Sequence, residues 1–287
     1  MTYHKIAYCT LLTNDAYLTA ALVLAQSLRN SETVIPLCAL IVHAVSDEAR
    51  RRLANFYDQV IEVPAIAGTS TTNLQLIGRP DLHTTLTKVY LWSLSQYDRV
   101  LYLDADTLVL ANLDHLFLLP GHVEFAASPE LGFPDCFNSG MMLLHPCPTT
   151  FVELARLAEE SGSFDGGDQG LLNMFFGDGT LEHAGKELFG NATTRQRTVR
   201  TWYRLSFTYN IEMHRVYRLY IPAVLRYRSK HKVLHFIGEE KPWHFPNGRI
   251  DRAHDASAYF SFYCEMVDKW WDVYRQGEPQ VVKLVGP

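Results

Sequence analysis

The chain has 287 residues, a hydrophobic fraction of 47% and a formal net charge of −5, which indicate a globular protein with one large domain or two average ones. The negative charge argues against a nucleic-acid partner, and no apolar run reaches the roughly 18 residues of a membrane span. Five widely spaced cysteines favour neither a disulfide framework nor a zinc site. Because the N-terminus lacks the charged and apolar regions of a secretory signal, we expect a cytosolic protein.

The first half of the chain alternates between strand and helix patterns. Residues 5–12 are predicted as a strand, and Asn14 with Asp15 supplies the N-cap of a helix that ends near residue 28. Further strands are predicted at 36–43, 59–63 and 99–103, with helices at 47–56 and 84–96, and Ser46 with Asp47 is predicted to cap the first of these two helices. This alternation implies an α/β fold with a mainly parallel central sheet flanked by helices.

The second half continues with a strand at 140–145 and helices at 149–161 and 168–176. An aromatic-rich helix follows at about 255–276, with apolar residues at helical spacing that indicate core packing. We therefore expect a single domain over 1–287. Its nucleotide-binding half would be about 1–120, and its acceptor and sugar-binding half would be about 121–250.

The strand at 99–103 is followed by Asp104 and Asp106, which Ala105 separates. If extended geometry continued past residue 103, the two carboxylates would point the same way, because alternate side chains of a strand share a face. Two unpaired carboxylates repel each other, and a hard divalent cation such as magnesium or manganese would relieve that repulsion. The pattern therefore predicts a metal site at the carboxyl edge of an α/β sheet, where such sheets bind ligands.

Three interpretations of this pair differ in their chemistry. A sugar-nucleotide transferase would use the metal to hold a diphosphate, a phosphatase of the haloacid-dehalogenase type would use the Asp-x-Asp-x-Thr motif at 104–107, and a solvated acidic turn would do neither. The phosphatase needs its nucleophilic aspartate near the start of the fold and a second acidic cluster downstream. Here the pair follows the fourth predicted strand, and 167–170 and 177–182 match that cluster poorly, which disfavours the phosphatase.

Further motifs follow one another in a characteristic order. They lie at residues 10–17, 79–82, 86–88, 135–140, 163–173 and 234–243. As a set with the acidic pair, they resemble the glycogenin family of self-glucosylating transferases, which prime glycogen synthesis. The resemblance runs from about residue 8 to residue 243. It implies a glycosyltransferase-A fold, UDP-glucose as the donor substrate, and manganese as the metal with magnesium as a possible substitute.

The resemblance also assigns the metal and the catalytic residues. Asp104, Asp106 and His235 would bind the metal, and a histidine beside two carboxylates suits manganese better than magnesium. Lys241 would stabilise charge on the leaving group, and Asp168 would be the carboxylate near the anomeric carbon in a transfer that retains configuration. Whether Asp168 acts as a nucleophile or only stabilises positive charge stays open.

The other donor-site residues implied by the resemblance fall into four groups. The uridine pocket would comprise Leu11, Thr13, Asn14 and Tyr17, with Tyr17 stacking on the base. The sugar-phosphate side would comprise Arg79 and Lys88, with Ala105 between the two carboxylates, and Gly238 would close on the diphosphate with Lys241. The glucose would be surrounded by Asn138, Asp165, Asp168 and Gln169, because sugar hydroxyls need the donors and acceptors that amides beside carboxylates supply.

A self-glucosylating transferase needs a tyrosine of its own as acceptor. The family commonly has two tyrosines one residue apart before a proline, whereas here two residues separate Tyr217 from Tyr220. Tyr217 preserves the distance from Asn210, and Tyr220 preserves the distance to Pro222. We favour Tyr217 as the acceptor, with Tyr220 as the runner-up and with packing or solvation of both as the alternative.

The resemblance implies a homodimer in which one subunit can serve the other, and no nucleic-acid or membrane partner is expected. A partnership with glycogen synthase is doubtful, because the sequence ends at Pro287 without the family's recruiting tail. Two other functions stay open: transfer to a separate small polyol or saccharide, and a catalytically idle nucleotide-binding scaffold. Between residues 186 and 232, eleven Lys or Arg accompany two Glu, which indicates either a solvated basic lobe or one that screens a bound diphosphate.

Overall fold

The structure is a computed structural model that describes residues 5–66, 80–132, 135–177, 201–213, 220–238, 240–245, 250 and 257–282. A seven-stranded sheet forms its centre, with the strand order β3-β2-β1-β4-β7-β6-β8. These strands are β1 (Ile6–Leu12), β2 (Leu37–Ile41), β3 (Gln59–Glu62), β4 (Arg99–Leu103), β6 (Phe125–Pro129), β7 (Phe137–Leu144) and β8 (Tyr203–Arg204). Strand β7 pairs antiparallel with β4 and β6, and the other pairings are parallel, so the mainly parallel sheet is confirmed.

A second, three-stranded sheet lies beside the first. It consists of β5 (Thr107–Val109), β10 (Val233–His235) and β9 (Ile211–Glu212), in that order. Strand β10 is antiparallel to β5 and parallel to β9. Because β5 follows β4 after only three residues, this small sheet begins directly beside the acidic pair.

The described helices surround the sheets. They are α1 (Leu18–Asn30), α2 (Asp47–Ala54), α3 (Pro148–Ser161), α4 (Asp168–Phe176), α5 (Ile221–Arg226) and α6 (Ala258–Val282). The predicted caps are present: Ser46 accepts a hydrogen bond from the backbone of Ala49 (3.2 Å), and Asn14 accepts one from Ala16 (2.9 Å). Asn14, however, caps a short 3₁₀ turn that precedes α1. No described helix is both long enough and apolar enough to cross a membrane.

The helix predicted at 84–96 was wrong in type and extent, because the chain forms 3₁₀ turns over Pro80–Ser93. β-branched residues are frequent here, and they lose side-chain freedom in an α-helix. Two threonine hydroxyls also bond to other parts of the fold. Thr87 Oγ1 accepts from the backbone of Ile66 (3.0 Å), and Thr85 Oγ1 accepts from that of Asp168 (3.3 Å).

Apolar clusters pack on both faces of the large sheet. Strand β4 contributes Leu101 and Leu103 to one cluster and Val100 and Tyr102 to the other. A third cluster joins the small sheet to α6 and contains the predicted aromatic stripe, including the fully buried Trp270. The large sheet is thus covered on both faces, which leaves its carboxyl edge as the place for polar chemistry.

Replacing Leu101 with alanine should lower the free energy of unfolding by about 2–5 kcal/mol, because its side chain is fully buried in β4 and the change leaves a cavity. Denaturant titration followed by circular dichroism measures the loss. The matched control is Leu118→Ala, whose side chain is 84% exposed and should change the midpoint little. Equal midpoints for the two variants would contradict the described packing of β4.

Candidate active site

The acidic pair follows β4 in a turn and not in an extended strand. The backbone nitrogen of Thr107 donates to the carbonyl of Asp104 (3.1 Å), and the Thr107 hydroxyl donates to the same oxygen (2.7 Å). The condition that strand geometry continues past residue 103 is therefore not met. The turn still brings the predicted metal ligands together, since one ligand atom each from Asp104, Asp106 and His235 lies within 4.8 Å of the others.

His235 ends β10 and reaches both carboxylates. Its Nε2 lies 3.3 Å from Asp106 Oδ1 and 3.7 Å from Asp104 Oδ2. Gly140 of β7 makes room for the ring, because a Cβ at that position would lie 2.2 Å from His235 Cε1. Two carboxylates and an imidazole are a donor set that fits a divalent cation, with the imidazole favouring manganese over magnesium.

Lys88 neutralises one side of this cluster. Its buried ammonium lies 2.9 Å from Asp104 Oδ1 and 2.7 Å from Asp168 Oδ2. Burial alone would lower the pKa of Lys88, but the carboxylates of Asp104 and Asp168 outweigh it and hold that pKa above its ordinary value. Tyr102 at the end of β4 donates its hydroxyl to Asp104 Oδ1 (2.6 Å), which fixes the carboxylate further.

Lys241 neutralises the other side. Its ammonium donates to Asp106 Oδ2 and to the carbonyl of Phe236, both at 2.6 Å. Burial would raise the pKa of Asp106, but Lys241 and His235 oppose it and hold the pKa well below its usual range. Three carboxylates thus face two ammonium groups, so the cluster keeps one negative charge when His235 is neutral. That surplus favours binding of a cation.

Asp168 is the first residue of α4, and it does not cap the helix. The N-cap position is Gly167, and no side chain caps this helix end. Asp168 Oδ2 instead accepts a hydrogen bond from Ser139 Oγ (2.7 Å), beside its contact with Lys88. The carboxylate of Asp168 therefore faces the charged cluster and does not cap α4.

The other residues predicted around the glucose lie next to Asp168. Asp165 Oδ1 accepts from Ser163 Oγ (2.7 Å) and from the backbone of Gly167 (2.8 Å), and burial raises the pKa of Asp165. Gln169 Oε1 accepts from the backbone of Ser139 (3.1 Å). A Cβ at Gly170 would lie 2.4 Å from Asp165 Oδ1, so glycine is needed for this close approach.

Glu130 also belongs to the group of residues around the predicted glucose position, although the sequence did not predict it. Its Oε2 accepts hydrogen bonds from Asn138 Nδ2 (2.9 Å) and Gln169 Nε2 (3.0 Å), so it joins two of the predicted glucose ligands. Asn210, to which the sequence assigned no role in the site, donates its amide to Asn138 Oδ1 (2.8 Å). Glu130 was missed because strand β6 was not predicted, and the hairpin of β6 with β7 is what places Glu130 beside Asn138.

The predicted uridine pocket is only partly connected to the cluster. The Tyr17 ring contacts Trp243 at a centroid distance of 5.5 Å, and the ammonium of Lys241 lies 5.6 Å from the Tyr17 ring centre. Leu11 is buried at the end of β1, Thr13 is half-buried, and Asn14 is exposed with its amide oxygen occupied as a cap.

The remaining predicted residues lie in different places. Ala105 is buried in the apolar core, and Gly238 has a φ of 101°, which favours glycine. Arg79 and Tyr217 lie outside the described residues. Tyr220 directly precedes α5, and its side chain is 41% exposed.

Comparison with known proteins agrees with this geometry. Residues 8–246 match the model of the family described as Glycosyl transferase family 8. Glycogenin-1 of Oryctolagus cuniculus is 39% identical over 285 residues, which cover 98% of this chain and 78% of that protein. Glycogenin-1 of Homo sapiens is 40% identical over 273 residues, which cover 93% of this chain and 71% of that protein.

Solved structures show the same fold at much lower identity. The galactosyltransferase LgtC, in complex with donor and acceptor sugar analogs, has a TM-score of 0.58 at 18% identity, covering 93% of this chain and 99% of that one. The apo-form glycosyltransferase GlyE of Streptococcus pneumoniae TIGR4 has a TM-score of 0.57 at 18% identity, covering 97% of this chain and 64% of that one. The predicted glycosyltransferase-A type of fold is thereby confirmed.

Replacing Gly140 with alanine should weaken manganese binding by about 10-fold or more, because the added Cβ displaces the His235 ring from the two carboxylates. The dependence of Tm on manganese concentration measures the affinity. Gly121→Ala is the matched control, since nothing lies within 4 Å of a Cβ at that position. An unchanged manganese dependence in Gly140→Ala would contradict the role assigned to His235.

Proposed function

The chain belongs to glycosyl transferase family 8 and, within it, to the glycogenins, self-glucosylating transferases that prime glycogen synthesis; on that premise we propose that it moves glucose from UDP-glucose to one of its own tyrosines and then to the growing α-1,4-glucan. The observation that carries this proposal is the buried cluster of Asp104, Asp106 and His235 between Lys88 and Lys241. It combines a cation-binding donor set with two ammonium groups that can face a diphosphate.

The donor diphosphate is the group this cluster is best suited to hold. Asp104, Asp106 and His235 would hold manganese, which supplies positive charge to the diphosphate leaving group when bound. Lys241 would add a second positive charge, and its contact with the carbonyl of Phe236 fixes its position. Charge that develops on a leaving group is stabilised best by groups that are already oriented towards it.

The sugar would lie on the side of Asp168. Lys88 and Ser139 orient the Asp168 carboxylate, so it can face positive charge that develops at the anomeric carbon in a transfer with retention. Glu130, Asn138, Asp165 and Gln169 would supply acceptors and donors for the sugar hydroxyls. Recognition of glucose over galactose would depend on this group, since the two sugars differ at one hydroxyl.

The proposed acceptor is Tyr217, with Tyr220 as the runner-up. The exposed side chain of Tyr220 supports an accessible phenol at the start of α5, and Tyr217 stays the favoured acceptor from the sequence. The proposal includes a homodimer in which one subunit glucosylates the other, and a cytosolic location. Glycogen synthase, a doubtful partner from the sequence, is not part of the proposal.

Asp168→Asn should lower glucosyl transfer by a factor on the order of 10³ or more, because the carboxylate charge is lost while the side-chain shape is kept. UDP binding in the presence of manganese should stay within about 2-fold, since its ligands are unchanged. Coupled release of UDP measures turnover, and calorimetry measures binding. Asp272→Asn, with a 65% exposed side chain, is the control. Near-normal transfer by Asp168→Asn would exclude the assigned role.

The self-acceptor is tested by the intact mass of the protein before and after incubation with UDP-glucose and manganese. The unaltered chain should gain a series of hexose increments, Tyr220→Phe should gain them too, and Tyr217→Phe should not, because the phenol oxygen that forms the glycosidic bond is missing. Loss only in Tyr220→Phe would make the runner-up the acceptor. Transfer to an added polyol without any mass increase would instead support the separate-acceptor function.

A further inference from the structure

A second cavity lies away from the acidic cluster. It has a volume of about 460 Å³ and is bounded by α5, the turn Arg228–Lys230 and α6. Its lining includes Leu110, whose backbone nitrogen donates to the carbonyl of Lys232 (2.8 Å) at one end of the β5–β10 ladder. His235 pairs with Thr107 at the opposite end of that ladder. The cavity is therefore separate from the proposed donor site, and its volume falls in the usual range for small-molecule sites.

The charged side chains that line this cavity are all basic. Arg226, Arg228 and Lys269 line it, and no carboxylate does so among the residues that the structure describes. Arg228 is held in place by an ion pair with Glu265 and by the face of Phe262, whose ring centre lies 5.8 Å from the guanidinium carbon. These cations include part of the basic segment noted in the sequence. Arg226 and Arg228 of that segment thus line this cavity, at the far end of β10 from the proposed metal ligands.

His231 contributes to the wall of the cavity. His231 is only 5% exposed, and its Nε2 has no hydrogen-bond partner among the described residues. The ring packs against Phe262 with a centroid distance of 6.0 Å and interacts with the backbone of Val224. That Nε2 is closed off from the cavity, so His231 supports the wall, and contacts with a ligand would come from the exposed side chains of the lining.

We propose that this cleft binds a small phosphomonoester, such as a phosphorylated monosaccharide. The guanidinium groups of Arg226 and Arg228 with the Lys269 ammonium match a phosphate, to which guanidinium binds through two parallel hydrogen bonds. The exposed Ser229 provides a hydroxyl partner for a sugar hydroxyl, and the exposed side chain of Leu225 provides an apolar surface for the ring. Arg228 is already paired with Glu265, but among the described residues a neutral sugar would leave Arg226 and Lys269 without a counter-charge. This inference does not rest on the proposed transferase activity.

Calorimetric titration in metal-free buffer at low ionic strength tests the proposal with glucose 6-phosphate, inorganic phosphate and glucose as probes. Glucose 6-phosphate should bind and glucose should not. The double variant Arg226→Gln/Lys269→Gln should weaken binding of glucose 6-phosphate at least about 10-fold, because two charge-assisted hydrogen bonds are lost. The affinity for inorganic phosphate distinguishes the source: equal affinity would identify free phosphate as the ligand, and weaker affinity would identify the sugar ester.

The matched control is Arg51→Gln/Arg156→Gln, which removes two positive charges from exposed helix positions elsewhere. It should bind glucose 6-phosphate as the unaltered chain does, and circular dichroism should show both double variants folded. Three results would overturn the proposal: no binding by the unaltered chain, equal binding by Arg226→Gln/Lys269→Gln, or equal binding of glucose and glucose 6-phosphate.

Discussion

The site depends on the electrostatic cost of holding three carboxylates close together inside a protein. Asp104, Asp106 and Asp168 converge at the carboxyl edge of the large sheet, where burial would penalise each charge. Lys88 and Lys241 meet that cost with contacts of 2.6–2.9 Å to the carboxylates. Removal of either lysine would leave a buried charge unpaired, which costs several kcal/mol in other proteins. The remaining negative charge favours a cation at this cluster.

The three carboxylates and two lysines of the site come from distant parts of the chain. Strand β4 delivers the acidic pair, β10 delivers His235, and α4 delivers Asp168, while Lys88 comes from the 3₁₀ turns that replace the expected helix. The antiparallel β7 between β4 and β6 is central, because its Gly140 leaves space for the imidazole and its neighbour Ser139 binds Asp168. The geometry of the site therefore follows from the order of strands in the sheet.

The sequence predicted the parts of this structure that depend on local pattern. The apolar runs of β1 and β4 and the cap residues Asn14 and Ser46 were recognisable, and family resemblance linked Asp104 and Asp106 to the remote His235. What it missed depends on pairing between distant segments. Strand β6 lies in an irregular hairpin with a shifted register, so the contact of Glu130 with Asn138 had no local signal. The turn after Leu103 was also missed, because it is held by hydrogen bonds from the hydroxyl and the backbone nitrogen of Thr107 to the carbonyl of Asp104.

The basic segment was open to two interpretations, a solvated basic lobe or one that screens a diphosphate. In its described part, Arg226 and Arg228 line a cavity at the opposite end of β10 from His235. The central proposal is that cation and diphosphate meet at the acidic cluster. The most direct test is a crystal structure with manganese and UDP, recorded at a wavelength where manganese scatters anomalously. One strong anomalous peak bonded to Asp104, Asp106, His235 and the diphosphate is expected, and a peak elsewhere or none at this cluster would contradict the proposal.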